Sequence, residues 1–154
     1  AVPSNVTAVI PIYDEDEDVN SYLRNGAFIF THDSKGNIVV EKDVNTLHTY
    51  TQKRPPPFSK NRVIRALDEM SNTKVQIWES DFIGKIDNND MGRTLLYNQI
   101  VKIIKNLISV GAFAESDYSV VVEQGDDVDK VRTYEQVRPV DSMEQLYSYV
   151  TVLG

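Results

Sequence analysis

The stretch NRVIRALDEMSNTKVQIWESDFIGKIDNNDMGRTLLYNQIVKIIKNLISVG, residues 61–111, decides the fold, because it contains two helical patterns separated by a polar turn. In the first pattern, apolar residues recur in steps of three and four, which places them on one face of a helix. These residues are Ile64, Leu67, Val75, Trp78 and Phe82, with Ser71 filling the gap. Three prolines precede Ser59, so we expect Ser59 to cap this helix and Gly84 to end it.

The second pattern begins near Asn89 or Asp90 and ends at Gly111, a residue type that often follows the last turn of a helix. Its apolar stripe is wider, which predicts that this helix is the more buried of the two. The stripe consists of Leu96, Ile100, Ile103, Ile104, Leu107 and Ile108. Lys102 and Lys105 fall between these positions, and we expect both to face solvent.

Strand patterns occur in the sequence both before and after the two helices. Residues 27–31 and 38–41 are apolar runs around the polar turn 33–37, which predicts a β-hairpin. Residues 118–123 and 131–140 predict a second antiparallel pair. These patterns predict an α+β fold in which the two main helices pack on a mixed β-sheet of about five strands.

Both ends of the chain are predicted to be extended arms around a single domain, 1–154. Residues 1–13 alternate apolar side chains but contain two prolines, which predicts an edge strand or an extended connector. The acidic run 14–18 suits the first turn of a helix that ends near Gly26. A cation site in this run is less favoured, because the glycine and glutamate of a calcium loop are missing from their required positions.

The C-terminal arm, residues 141–154, allows two interpretations. Spacing alone would let Leu146 and Val150 line a helix face, whereas its density of aromatic and β-branched side chains favours a strand. A strand at a chain end either packs on its own sheet or pairs elsewhere.

Composition excludes several classes of function. The formal charge of −7 argues against a nucleic-acid-binding surface. The absence of cysteine excludes disulfides and thiolate catalysis, and two histidines are too few for a multi-histidine metal site. No apolar run is long enough to span a membrane, so we expect no membrane anchoring. We predict no cofactor.

Catalytic and metal-binding readings of individual residues are weak. His32 lies beside Asp33, and His48 sits in a Thr-rich segment, so an acid–base hydrolase is possible in principle. Solvated turn histidines are favoured, because no nucleophile motif accompanies them. Residues 84–93 resemble a calcium loop, but counted from Asp87 the twelfth position is Asn98, so the bidentate carboxylate is missing. We therefore predict no catalytic, cofactor-binding or metal-binding residue.

Two pairs of basic residues are candidates for a docking surface. Arg62 and Arg65 lie on the first predicted helix, and Lys102 and Lys105 lie on the second. The simpler interpretation is that these charges keep the helix faces soluble. The alternative is that they contact an acidic partner surface.

Four segments, in order, resemble the C-terminal region of contractile tail sheath proteins of myophages and phage-tail-like bacteriocins. VNTLHT at 44–49 is similar to the family's INTLTT, and KNRVIRALD at 60–68 to KNRVIRVLD. FIGKI followed by NN, within 82–89, is similar to YIGKV with NN, and VRPVDSMEQLY at 137–147 to VQPVDAMEKIY. The resemblance extends from about residue 19 to the end, so we expect this chain to be the C-terminal part of a longer sheath subunit.

The resemblance implies a structural protein rather than an enzyme. Sheath subunits stack as hexameric rings around a tail tube and contract to drive that tube through a cell envelope. The implied partners are further copies of the chain, the tail tube protein, and baseplate and tail terminator proteins. The implied location is the virion tail, or a phage-tail-like particle, after assembly in the host cytoplasm.

The resemblance also implies roles for particular residues. The terminal arms of sheath subunits exchange strands with neighbours, a role that would fall here to Leu146, Tyr147, Tyr149, Val150 and Val152. A family helix faces the tube, which makes Arg62, Arg65, Lys102 and Lys105 candidates for that contact. The alternative hypothesis is a non-catalytic binding module, or another virion scaffold protein, that forms small oligomers.

Overall fold

The structure is a computed structural model that describes residues 16–144 and 146–152, with side chains from Val19 onward. The predicted strand or connector over residues 1–13 lies outside the described residues. The elements in chain order are α1 (Asp16–Arg24), β1 (Phe30–His32), β2 (Ile38–Val40), a 3₁₀ turn (Pro56–Ser59), α2 (Asn61–Ile77), a π-helical turn (Trp78–Phe82), α3 (Asp90–Ser109), β3 (Phe113–Gln124) and β4 (Val131–Pro139). The predicted α+β class is confirmed.

The chain divides into two compact units. The first unit consists of residues up to 61 together with those from 141 onward, and the second unit consists of residues 62–140. The prediction that 1–154 is a single domain stays a prediction.

The described strands form two separate antiparallel pairs, β1–β2 and β3–β4. The sequence patterns predict one mixed sheet of about five strands, and the structure corrects this prediction to two antiparallel pairs. Each strand pairs with its neighbour across a short connection, where closing the loop costs the least conformational entropy.

The hairpin of the first unit is the predicted one, with shorter strands. Thr31 pairs with Val39 in an antiparallel register. The Asp33 carboxylate closes the turn by accepting the backbone N–H groups of Lys35 and Asn37, each at 2.8 Å. The side-chain amide of Asn37 donates to the second Asp33 oxygen at 2.9 Å. These bonds fix the turn without help from the rest of the unit.

Helix α1 ends at Arg24, close to Gly26 as the sequence predicts. Gly26 has a φ of +76°, which glycine adopts without strain. A Cβ here would also lie 2.9 Å from the backbone of Thr46. Gly26 therefore both ends α1 and lets the segment around Thr46 pack closely against it.

Helix α3 is the centre of the second unit and has the predicted ends. The Asn89 side chain accepts the N–H of Gly92 at 2.8 Å, as an N-cap. Gly111, with a φ of +72°, donates its N–H to the carbonyl of Ile108. The fully buried side chains lie on the predicted stripe, and those of Leu107 and Ile108 are half-buried. The buried set is Leu96, Ile100, Ile103 and Ile104.

Helix α2 differs from its prediction in two respects. It begins at Asn61, and Ser59 ends the preceding 3₁₀ turn, where its Oγ donates to the Pro56 carbonyl at 2.8 Å. Its buried face is also shifted by one position, to Val63, Ala66 and Met70. The observed face contains Met70 where the predicted stripe has Ser71, so none of its three buried side chains is polar.

The π-helical turn at the end of α2 changes the direction of the last apolar residues. The N–H of Ile83 donates to the carbonyl of Trp78, five residues earlier, at 3.0 Å. The rings of Trp78 and Phe82 stack with their centroids 5.9 Å apart. This geometry buries Phe82 as the sequence predicts, although Val75 in the same predicted stripe is 51% exposed.

The predicted second pair of strands is confirmed as β3–β4. Val120 pairs with Glu135, and Val121 pairs with Tyr134 on the opposite, exposed face. The Glu135 carboxylate accepts a hydrogen bond from Lys74 of α2 at 3.0 Å. One face of the hairpin therefore packs on the helical core while the other faces outward.

Replacing Gly92 with alanine is expected to destabilise the protein. A Cβ here would lie 2.1 Å from the carbonyl oxygen of Asp87, so backbone must move, at a cost of about 1–3 kcal/mol. Elsewhere in a helix the same change normally stabilises. Urea unfolding measures the effect. The control Asn98→Ala, at an exposed position of α3, is expected to change stability by about 0.5 kcal/mol or less. Unchanged or higher stability of Gly92→Ala would contradict this close contact.

Candidate interaction surfaces

The terminal segment, residues 146–152, exposes its apolar side chains. It contains neither helix nor strand, so neither predicted conformation is present. The exposed fractions of the five predicted arm residues lie between 73% and 92%. These residues are Leu146, Tyr147, Tyr149, Val150 and Val152. A contiguous exposed apolar stretch of this kind is typical of an interaction site.

The root of the arm, residues 141–144, is held by one lysine. The Lys60 ammonium contacts the Glu144 carboxylate and lies 3.0 Å from the Asp141 carboxylate. The side chains of Lys60 and Glu144 are 13% and 16% exposed. We call these three residues the Lys60 clasp. No sequence pattern predicts the clasp, because an ion pair between residues 84 positions apart leaves no local signal.

Lys60 itself is fixed by its neighbours. The backbone N–H of Asn45 donates to the Ser59 carbonyl at 2.8 Å. On the other side, the side-chain amide of Asn61 donates to the Asp43 carboxylate at 2.8 Å. These bonds hold the backbone on both sides of Lys60, so its ammonium extends from a fixed position.

The electrostatics of the clasp favour the charged lysine. Burial alone lowers the pKa of Lys60, but the hydrogen bonds that its ammonium donates to Glu144 and Asp141 outweigh this effect and raise the pKa above the ordinary 10.5. Because the folded-state pKa is the higher one, this lysine stabilises the folded state fully below pH 10.5. The stabilisation is lost as the pH rises through the raised pKa.

The predicted docking charges lie in two environments. Arg62 is half-buried and donates from Nη2 to the Gly111 carbonyl at 3.0 Å, so it satisfies a carbonyl just beyond the end of α3. Arg65, Lys102 and Lys105 have exposed side chains. The docking role of all four residues stays a prediction.

The β3–β4 hairpin has features of a strand-accepting surface. Within the described part of the chain, β4 pairs only with β3, so its other edge has no strand partner. Two cavities of about 330 and 180 Å³ border β4, and both include Trp78, Leu96 and Val131 in their linings. An unpaired edge beside apolar surface suits a partner that supplies both backbone and apolar side chains.

The histidines do not form a catalytic arrangement with Asp33. Nδ1 of His48 lies 3.1 Å from the Thr46 carbonyl oxygen, and His32 is exposed. The Asp33 carboxylate already accepts the hydrogen bonds that close its turn. The side-chain hydrogen bond from Asn37 is the main reason that the pKa of Asp33 falls below the ordinary 3.8. This carboxylate stabilises a turn rather than orienting a histidine.

The described residues contain neither a cluster of metal ligands nor a helix that could span a membrane. Among the described residues, no three histidine or carboxylate side chains are grouped closely enough to hold a metal ion. None of the helices described has the length and apolar character needed to cross a bilayer.

Comparison with known proteins gives a consistent set of similarities. A family model described as the phage tail sheath C-terminal domain matches residues 53–152. The phage-like element PBSX protein XkdK of Bacillus subtilis (strain 168) is 30% identical over 139 residues, which cover 84% of this chain and 30% of XkdK.

Two solved structures have the same fold. The sheath tail protein Lin1278 of Listeria innocua superposes with a TM-score of 0.68 at 23% identity, covering 86% of this chain and 32% of Lin1278. A chain of the six-fold symmetrised baseplate of the anti-feeding prophage superposes with a TM-score of 0.70 at 17% identity, covering 92% of this chain and 40% of that chain. The chain therefore spans 30–40% of the length of these proteins.

Replacing Asn37 with alanine is expected to raise the pKa of Asp33 towards 3.8, because it removes the main hydrogen bond to the carboxylate. An NMR titration of the Asp33 carboxyl measures this change. Since the folded-state pKa is the lower one, the carboxylate stabilises the hairpin above its ordinary pKa, and the effect is lost as the pH falls through the lowered pKa. The control Ser34→Ala lies in the same turn and should leave the titration unchanged. An unchanged pKa in Asn37→Ala would contradict the turn geometry.

Proposed function

The chain belongs to the family of phage tail sheath C-terminal domains, and from this premise we propose that it acts as a structural subunit of a contractile tail sheath. In this proposal the protein polymerises as stacked hexameric rings around a tail tube, and contraction drives the tube through a cell envelope. The observation that carries the proposal is the terminal segment 146–152, whose apolar side chains are exposed. A neighbouring subunit would bury them.

Strand exchange is the proposed means of assembly. In an extended conformation, Leu146, Val150 and Val152 lie on one face, while Tyr147 and Tyr149 lie on the other. The backbone N–H and C=O groups of this strand need partners, which the edge of a neighbour's sheet supplies. We propose the unpaired edge of β4 as the recipient, because the cavities beside it offer apolar surface to alternate side chains.

Backbone pairing also suits a lattice that changes shape. The arm can bend at its root while its ladder to the neighbour stays intact, so subunits rotate without losing their connection. Contraction further requires that the contracted lattice has the lower free energy. A ladder that survives the transition keeps the rings linked while other contacts break.

Contacts with the tube are proposed to be electrostatic. The candidate cations are Arg62, Arg65, Lys102 and Lys105, which would face an acidic surface of the tube protein. An exposed ion pair contributes about 1 kcal/mol or less, so such contacts break one by one as the sheath contracts. Arg62 also satisfies the Gly111 carbonyl, and the two lysines of α3 therefore give the cleaner test of this surface.

The remaining parts of the proposal follow from the family. The baseplate and the tail terminator protein would bound the sheath at its two ends. The protein would act in the virion tail, or in a phage-tail-like particle, after assembly in the host cytoplasm, and would carry no catalytic activity.

Proline substitutions in the terminal segment are expected to abolish polymerisation without unfolding the protein. Successive residues of a strand direct their N–H groups to opposite sides, so Tyr149→Pro and Val150→Pro between them remove at least one ladder donor. Both side chains are exposed, so thermal stability should not change. Sedimentation and negative-stain electron microscopy of the full-length protein measure polymer formation.

The matched control for the proline series is Val150→Thr, which keeps a β-branched side chain and the backbone N–H. It should polymerise like the natural protein. Normal tubes from both proline variants would exclude strand pairing through this segment. Discrete small oligomers from the natural protein, with no polymer even when tube protein is added, would favour a binding module instead.

Reversing both α3 lysines is expected to weaken binding to the tube. The double variant Lys102→Glu/Lys105→Glu changes the sign of the exposed charge on this helix, and the loss should shrink as salt concentration rises. Co-sedimentation of sheath with preformed tubes, at low and high salt, measures it. The control Lys35→Glu/Lys53→Glu makes the same change in net charge at other exposed positions. Equal binding by both double variants would contradict a tube-facing role for α3.

A further inference from the structure

We infer that Lys60 is a positioning residue for the C-terminal arm, because it anchors the root 141–144 so that the arm becomes movable only beyond Glu144. The effect of this anchoring on assembly rests on the proposed function. The anchoring itself concerns the first unit alone and is measured independently of any polymer.

The clasp is built differently from the surface ion pairs of this protein. Lys60 contacts two carboxylates from the root, and the side chains of Lys60 and Glu144 are less than one-fifth exposed. In contrast, the side chains of Lys130 and Asp127 are both more than half exposed. Exposed pairs contribute little, whereas removing one partner of a largely buried pair leaves an uncompensated charge. Within the clasp, the Lys60–Glu144 pair is therefore shielded from water, while the Asp141 side chain is 41% exposed.

Side chains, rather than backbone, hold the root. Towards the C-terminus, the last backbone-to-backbone hydrogen bond of the described residues joins the N–H of Val140 to the carbonyl of Ala112, at 2.9 Å. Beyond it, the root belongs to no helix or strand. The two carboxylates on Lys60 are thus the charged contacts that attach residues 141–144.

Glu144 is the shielded residue at the end of the root. Its side chain is 16% exposed, whereas Met143 before it is fully exposed and Leu146 after it is 91% exposed. The contact of Glu144 with Lys60 therefore sets where the movable arm begins. Releasing the clasp would lengthen the movable part back to residue 141. A longer flexible tether lowers the effective concentration of the arm at its recipient edge and lets it reach other surfaces. Lys60 therefore controls how far the arm reaches and which neighbour it pairs with.

Site-directed spin labelling of the full-length protein tests the anchoring. The 154 residues contain no cysteine, so Ser142→Cys places a single label on the root once any cysteine outside these residues has been replaced by serine. We expect a restrained spectrum in the natural background, a mobile one with Lys60→Met, and a more mobile one with Lys60→Glu. The double variant Lys60→Glu/Glu144→Lys should restore the restraint, because it re-forms the pair with reversed charges.

Controls separate the clasp from general loosening. Lys130→Met removes a lysine from an exposed pair and should leave the label at residue 142 restrained. A label at Ser148→Cys lies beyond the clasp and should be mobile in every background as long as the protein is unassembled. If the Lys60 variants do not fold, Asp141→Asn and Glu144→Gln remove the charges from the root itself, and they should mobilise the label at 142 as well.

Two results would overturn the inference. One is a label at residue 142 whose mobility is the same in the natural protein and in the Lys60 or Glu144 variants. The other is a variant whose root is mobile but whose polymer has unchanged yield and order, since the position of the root would then not matter for assembly. A natural protein that forms no polymer would refute the proposed function, while the spin-label comparison would still decide whether Lys60 anchors the root.

Discussion

Burial of one face of α3 is the interaction on which the second unit depends. Ile100 and Ile104 are 1% and 0% exposed, and a fully buried side chain of this size contributes about 1.5–3 kcal/mol. Ala66 and Met70 of α2 and Phe113 of β3 belong to the same cluster. Because β3 follows α3 after only a few residues, this core also places the β3–β4 hairpin. The consequence that matters for function is a packed hairpin whose outer edge pairs with no other described strand.

The same distribution of apolar residues leaves the end of the chain without a core. The terminal segment carries aromatic and β-branched side chains that no described part of the chain covers. The Asp33 carboxylate beside His32 is engaged by the hydrogen bonds of its turn. The exposed apolar side chains of the terminal segment suit assembly between subunits.

Most of the fold could be predicted from local sequence signals, whereas contacts between distant segments could not. The ends of α3 follow from Asn89 and Gly111, whose roles depend on adjacent residues. The buried face of α2 was misplaced by one position, because the adjacent helical stripe through Val63, Ala66 and Met70 is apolar as well. The division into two sheets, and the Lys60 clasp across 84 positions, depend on how distant segments meet, which periodicity does not encode. The predicted arm residues are exposed as assembly requires, whereas their pairing remains a prediction.

Helical reconstruction of the polymer by cryo-electron microscopy, at a resolution that traces side chains, tests the central claim most directly. The account predicts that residues 146–152 of each subunit form a ladder with the β4 edge of a neighbour, while Lys60 still holds Asp141 and Glu144 of its own chain. A terminal segment folded back on its own subunit, or a polymer joined only through side chains, would contradict it.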